Sequence, residues 1–368
     1  MNSHTASGHA AATHASAADL RLLVRLVRRD ATGIERCLDG REDALGRFAD
    51  LCLREGLSVV LLRAVAASPV RLVLDQERLD QLEQRRALQE TRQQVLQHTL
   101  LTLSERFSRA GQSFILLKGP YLAARFYGCA FGREYIDLDL LVPRRDRERA
   151  CELLVRSGLR QGSRTLLGAA VTSHFVHGFD FTGGGANVDL HWRLSRHLSL
   201  RPDESRLWAT RASYVLDGRA YDVLSDEHEV TFAALSLLRD LERDRPKARN
   251  VLDLIQIAAD LDAELDWEAL LDRGAADGTR GPLVNVLGLC LDLADANDLA
   301  PRLSAALARR QDRRVRAPTA GHPMRFWPSQ LGLGNKVWAA RAYDGWPPAS
   351  LLWWAVSLPF RVAVHRWR

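Results

Sequence analysis

Apolar residues recur along this chain with two different periods, which divide it into a helical start, a mixed centre and a helical end. Between residues 17 and 110 the spacing is helical. Leu96, Leu100, Leu103 and Phe107 fall at i, i+4, i+7 and i+11, one stripe of a helix whose other faces are Gln, Arg and Glu. Gly111 stops it. From Ser113 the period shortens. Ser113–Leu117 reads as an apolar strand, and Gly119-Pro120 starts a helix, because a proline in the first turn gives up no internal hydrogen bond. Ile136–Val142 is a second strand, ended by Pro143. Arg144–Ser157 is a charged amphipathic helix that Gly158 stops. His174–Phe181 and Asn187–Arg193 read as strands joined by the hairpin loop from Thr182 to Ala186. Short strands at Ser213–Leu216 and Ala220–Leu224 give way to helices over Asp226–Leu241, Lys247–Leu261, Trp267–Ala276 and Leu283–Ala294. Gln311 to Asn335 is rich in Arg, Pro and Gly and reads as an irregular connector. The pattern predicts an α+β protein: a small mixed β-sheet core flanked by N-terminal and C-terminal helical regions. There is no internal repeat.

Composition adds limits. The 368 residues are 46% hydrophobic and 26% charged, within the range of folded soluble proteins. The net charge of +6 is unevenly placed. Residues 301–368 carry twelve Lys and Arg against two Asp and Glu, which leaves 39 basic against 43 acidic residues in the first 300. The basic end is open to four readings: a solvated arginine-rich tail, a nucleic-acid contact, a contact with an anionic membrane surface, or an acidic partner. Trp346, Trp353 and Trp354 with neighbouring leucines suit docking, either back onto the protein or onto another surface. No apolar run approaches the ~20 residues that span a bilayer, so a transmembrane segment is not expected. Cys37, Cys52, Cys129, Cys151 and Cys290 are scattered without a C-x-x-C pair, which argues against a disulfide framework or zinc cage. The first residues lack a secretory h-region. Residues 1–16, with His4, His9 and His14, are expected as a disordered tail, and a cytoplasmic location is the expectation.

The chemistry concentrates in one stretch. Asp137 and Asp139 alternate with Ile136, Leu138 and Leu140, so a strand puts both carboxylates on one face. Two adjacent negative charges repel, and a hard cation such as Mg²⁺ offsets that repulsion. Downstream, Val188-Asp189-Leu190-His191-Trp192 offers a third carboxylate on another strand. There Asp189 and His191 share a face, with Val188, Leu190 and Trp192 on the opposite one. Several sites are missing: there is no G-x-x-x-x-G-K-[ST] loop, no G-x-G-x-x-G, no H-E-x-x-H and no G-x-S-x-G. Bland readings stand beside the catalytic one. Asp137 and Asp139 could be strand-end carboxylates paired with arginines such as Arg133. Lys118 is either a phosphate ligand or a surface charge. His191 is a base, a partner behind Asp189, or a structural histidine. Trp192, Tyr127 and Tyr135 read as packing. His174 and His177 face opposite sides and make a poor metal pair.

Leu116-Leu117-Lys118-Gly119, Tyr127, Arg133, the run from Asp137 to Leu141 and the run from Val188 to Trp192 together resemble the uncharacterised nucleotidyltransferase family of the polymerase-beta-like superfamily. The likeness covers roughly residues 111–197. It implies a nucleotidyltransferase core there, followed by a mainly helical region over 198–310 and a basic, Trp-rich segment over 311–368, with the helical region 17–110 before it. It also implies Mg²⁺-dependent transfer, through two ions, of a nucleoside monophosphate, expected as AMP from ATP, to a small-molecule, sugar or peptide acceptor. Asp137, Asp139 and Asp189 would be the catalytic metal ligands, and Lys118, Gly119 and Arg133 would bind the nucleotide. A polynucleotide-directed transferase using the basic tail is a further reading. The superfamily often has Gly-Ser or Gly-Gly at the turn. Gly119-Pro120 lacks that N–H and hydroxyl, which keeps open the alternative of a catalytically weak nucleotide-binding accessory protein.

Overall fold

The computed structural model describes residues 17–39, 44–162, 178–195, 200, 202–242 and 247–310. The expected tail, the connector from Gln311, the Trp-rich end, His174 and His177 lie outside the described residues. Five helices come first: α1 (Ala17–Arg28), α2 (Ala31–Leu38), α3 (Ala44–Glu55), α4 (Ser58–Ala66) and α5 (Gln76–Arg109). Asp75 caps α5 by accepting from the Arg78 N–H. The stripe Leu96, Leu100, Leu103 and Phe107 is buried, as its spacing requires.

The centre is β1 (Ile115–Leu116), α6 (Pro120–Tyr127), β2 (Leu138–Leu141), a short 3₁₀ turn, α7 (Arg147–Arg156), β3 (Arg160–Gln161), β4 (Gly178–Gly183), β5 (Ala186–His191), α8 (Glu204–Ala209), β6 (Ala212–Leu216) and β7 (Arg219–Val223). The seven strands form one mixed sheet in the order β3-β4-β5-β2-β1-β7-β6. The β2–β5 and β1–β7 pairs are parallel and the others antiparallel. Two features depart from the sequence reading. β3 and α8 are short elements whose patterns are too brief to show a period. The expected five-residue hairpin loop is a two-residue turn, because Gly184 (φ 58°) and Gly185 (φ 82°) supply the positive φ angles such turns need.

Alternation sorts the sheet into two faces. Leu138, Leu140, Val188, Leu190, Trp192 and Phe181 bury one face against the C-terminal half of α5 and against Tyr121 and Ala123 of α6. Trp192 is core, as expected. On the other face Ile115, Leu117 and Leu141 pack against Leu207 of α8 and Phe232 of the next helix, which leaves the rest of that face available to polar residues.

The chain closes with α9 (Asp226–Glu242), α10 (Ala248–Leu261), α11 (Trp267–Asp277), α12 (Arg280–Ala294) and α13 (Pro301–Ala308). These helices share one hydrophobic cluster with α1 to α4, and Leu82 of α5 reaches into it. Helices from both ends of the chain therefore build a single body beside the sheet. That body brings the end of α9 and the start of α10 over the polar face.

Candidate active site

β2 and β5 lie parallel, with Leu138 against Val188, Asp139 against Asp189 and Leu140 against Leu190. Directly paired residues point to the same face, so Asp139 and Asp189 stand side by side. Asp137, one residue ahead of β2, lines the same cavity of about 320 Å³. The structure also brings Lys118, Gly119, Arg133 and His191 to this cavity, so each candidate metal-binding and nucleotide-binding residue lines it.

Gly119 has φ 65° and ψ −128°, a backbone conformation that strains any residue with a Cβ, and a Cβ there would meet the Asp137 carbonyl oxygen at 3.4 Å. The glycine is needed by the chain path itself, whether or not phosphate lies against it. Lys118 is half-buried, with its Nζ 4.8 Å from the centre of the Phe232 ring. Burial lowers its pKa, against an upward pull from Asp139.

The carboxylates are unequal. Burial first, then Asp139 and Asp137, push the Asp189 carboxyl up to about 7. Asp137 is raised by burial and by Asp139. Burial would raise Asp139 as well, but His191, Lys118 and Arg239 outweigh it and hold the group at about 2. An ionised carboxylate only accepts, so the 2.8 Å contact between His191 Nε2 and Asp139 Oδ1 is an imidazole N–H donating to Asp139. The sequence reading left His191 as a base, a partner behind Asp189 or a structural histidine; the structure bonds it to Asp139.

Asp139, Asp189 and His191 each present a ligand atom, all within 4.8 Å of one another. Asp137 is not part of that group. The Asp139 charge raises both Asp137 and Asp189, so the group gathers more negative charge than it can hold ionised, and a hard divalent cation offsets it. The donor set therefore fits a metal ion.

Arg133 is committed elsewhere than expected. Its Nε donates to Asp253 Oδ1 at 2.6 Å, and its Nη2 meets the second carboxylate oxygen. The Tyr127 hydroxyl donates to Asp253 at 2.8 Å. Tyr127 thus does more than pack. Arg133 reaches the cavity as a clamped group, paired with neither Asp137 nor Asp139.

Several lining residues were not singled out as site residues. Asp180 on β4 pairs with Asp189 across the hairpin and so extends the carboxylate row to a third strand. Arg239, Asp240, Lys247, Arg249 and Asn250 come from the end of α9 and the start of α10 and form the facing wall.

Below this wall Glu229 of α9 is fully buried, and neither carboxyl oxygen has a hydrogen-bond partner among the described residues. Burial raises its pKa to about 8, although Lys118 and Arg125 pull it down. A folded-state pKa above the unfolded value near 4.5 means that the folded form holds a proton the unfolded form has lost. Stability from this group is full below about pH 4.5 and is lost as pH rises through about 8. Glu229→Gln is therefore expected to raise the melting temperature at pH 8 and leave it nearly unchanged at pH 4.5, by pH-resolved calorimetry. Equal shifts at both pH values would mean that the carboxyl is not protonated in the folded protein.

Residues 42–313 match the model of a family described as uncharacterised nucleotidyltransferase. A search of curated proteins gives no match. Among solved structures, the chain is similar to the crystal structure of ANT(2'')-Ia in complex with adenylyl-2''-tobramycin, at 17% identity and TM-score 0.36, covering 50% of this chain and 98% of that one. It is similar to the solution structure of ANT(2'')-Ia at 14% identity and TM-score 0.31, covering 58% and 98%. The crystal structure of an antigenic nucleotidyltransferase-like protein from Paracoccidioides brasiliensis matches at 14% identity and TM-score 0.32, covering 58% and 93%. Likeness at this level says nothing about substrate.

Proposed function

The chain belongs to the uncharacterised nucleotidyltransferase family, and from that premise we propose that it moves a nucleoside monophosphate, AMP from ATP, to a hydroxyl-bearing small molecule, sugar or peptide with the help of Mg²⁺. One observation carries this reading: Asp139 and Asp189 stand in register on adjacent parallel strands, on the floor of a cavity whose facing wall is cationic.

In this reading Asp139 and Asp189 hold the metal, with Asp137 beside them. A bound divalent ion would supply charge neutralisation of the phosphates and of the attacking and leaving oxygens. His191 fixes the Asp139 carboxylate through its N–H, so that an oxygen lone pair stays turned to the cavity. Lys118 places a cation beside Asp139, where it can meet a phosphate oxygen. Gly119 lets the backbone approach the nucleotide and starts α6, whose first turn points N–H groups outward. Orientation of the α-phosphorus for in-line attack is the main contribution such a site makes.

Lys118→Ala is expected to weaken binding of a non-hydrolysable ATP analogue by roughly tenfold, the size of one charge-assisted contact. Calorimetry in the presence of Mg²⁺ measures it. Unchanged affinity would assign Lys118 to structure. Failure of the wild-type protein to bind any of the four common nucleoside triphosphates would overturn the proposed function. One observation favours the accessory-protein reading: Pro120 at the first position of α6 has no N–H to give a phosphate. Nucleotide binding without pyrophosphate release under any acceptor would support that alternative.

A further inference from the structure

The cations that face the carboxylates stand largely without partners. Among the described residues no carboxylate lies within ion-pair distance of Lys118, Lys247 or Arg249, and Arg239 reaches only Asp240, at 3.7 Å. Arg249 donates to the Glu134 carbonyl oxygen at 3.2 Å through one nitrogen, while its buried Nε has no partner. Several other buried or half-buried arginines of this protein sit on carboxylates: Arg25, Arg78, Arg125 and Arg133 each hold an aspartate. On this wall, by contrast, Lys118, Arg239, Lys247 and Arg249 line the same cavity as Asp137, Asp139 and Asp189. Unpaired guanidinium and ammonium groups brought together in a partly desolvated space repel one another, and an anion removes that cost. The direction of the shifts agrees: burial, followed by Arg133, lowers the Arg249 pKa.

The wall is also held in place. Asn250 Nδ2 donates to Asp240 Oδ2 at 2.6 Å, tying the first turn of α10 to the last turn of α9. Lys247 stands at the N-cap position of α10, and its side chain is exposed at the cavity.

We infer that Lys247 and Arg249, with Arg239 beside them, hold the terminal phosphates of the donor, and that they take over the anion-binding work that the Gly119-Pro120 turn cannot do. The inference rests on the nucleotidyl-transfer reading of the same cavity. It assigns the phosphate tail to the α9–α10 wall, whereas the sequence reading assigned it to Lys118, Gly119 and Arg133. A site of this kind discriminates by phosphate count: a triphosphate spans from the carboxylate floor to the cationic wall, and a monophosphate does not.

The test uses the full chain with Mg²⁺ and two probes, β,γ-imido-ATP and inorganic tripolyphosphate, with AMP for comparison. Lys247→Glu, Arg249→Gln and the double variant are measured by calorimetry beside Arg145→Ala, an exposed arginine outside this cavity. The expected result is a loss of roughly tenfold per single variant and more for the double variant on both triphosphate probes, with AMP affinity nearly unchanged. Lys247 is exposed, so its variant reads the charge effect even if Arg249→Gln lowers the melting temperature. Wild-type binding of both probes with unchanged affinity in Lys247→Glu and the double variant would overturn this inference alone. Wild-type failure to bind either probe would overturn the nucleotidyl-transfer reading with it.

Discussion

Asp139→Asn is expected to abolish nucleotide transfer, a loss of at least about a thousandfold, while leaving the fold intact. Asp139 is the residue on which the site converges. It stands opposite Asp189 across β2 and β5, takes the His191 N–H, and is the carboxylate held at about 2, hence ionised at any physiological pH. Asparagine keeps the shape and an accepting oxygen, but removes the charge a metal requires. It also removes a repulsion, since Asp139 is the leading charge acting on both Asp137 and Asp189. The variant gives up the attraction of His191, Lys118 and Arg239 for the Asp139 charge and relieves the repulsion on Asp137 and Asp189, so its melting temperature should stay near that of the wild type, and the Asp189 carboxyl should titrate below its wild-type value of about 7. Carboxyl-resolved NMR titration and calorimetry check these two points. Transfer retained at near wild-type rate would remove Asp139 from the chemistry. Loss of activity together with a collapsed melting temperature would make it a structural residue.

The floor of the site was legible because strand chemistry is local. An alternation of Asp with Leu over five residues fixes which side chains share a face, and Asp189-Leu190-His191 repeats that rule on the neighbouring strand. Even Asp180 was within reach. Once Gly184-Gly185 is taken as a two-residue turn, the hairpin register follows by counting outward, and Asp180 falls opposite Asp189. Reading the loop as five residues hid that pairing. The facing wall was not legible for a different reason. Arg239, Lys247 and Arg249 sit on helices about a hundred residues beyond Asp137, and a basic residue on a helix looks in sequence like any solvated position. Only the packing of α9 and α10 on the N-terminal helices turns them toward the carboxylates. One signal was present: Asp253 interrupts the buried run Val251, Leu252, Leu254 and Ile255 of α10. An acid inside an apolar helix face asks for a buried partner.

That partner is Arg133, and breaking the pair is expected to give the largest stability effect in the molecule. The two side chains are 4% and 6% exposed, and Arg133 engages both carboxylate oxygens of Asp253 while Tyr127 adds a further donor. Arg133→Ala leaves Asp253 buried with only the Tyr127 hydroxyl to satisfy it, which costs about 3–5 kcal/mol for a pair of this kind. Replacing both residues together, as Arg133→Met with Asp253→Leu, removes the stranded charge and should recover much of that loss. Denaturant unfolding of the two singles and the double closes the cycle. A single-variant cost below about 1 kcal/mol would mean that the pair is solvated and not the buried clamp described here. The same variants separate two roles of Arg133. If its charge reaches the donor phosphates, the stable double variant binds β,γ-imido-ATP more weakly than the wild type. If its work is to hold α10, and with it Lys247 and Arg249, against the sheet, the double variant keeps that affinity while Arg133→Ala loses affinity and stability together.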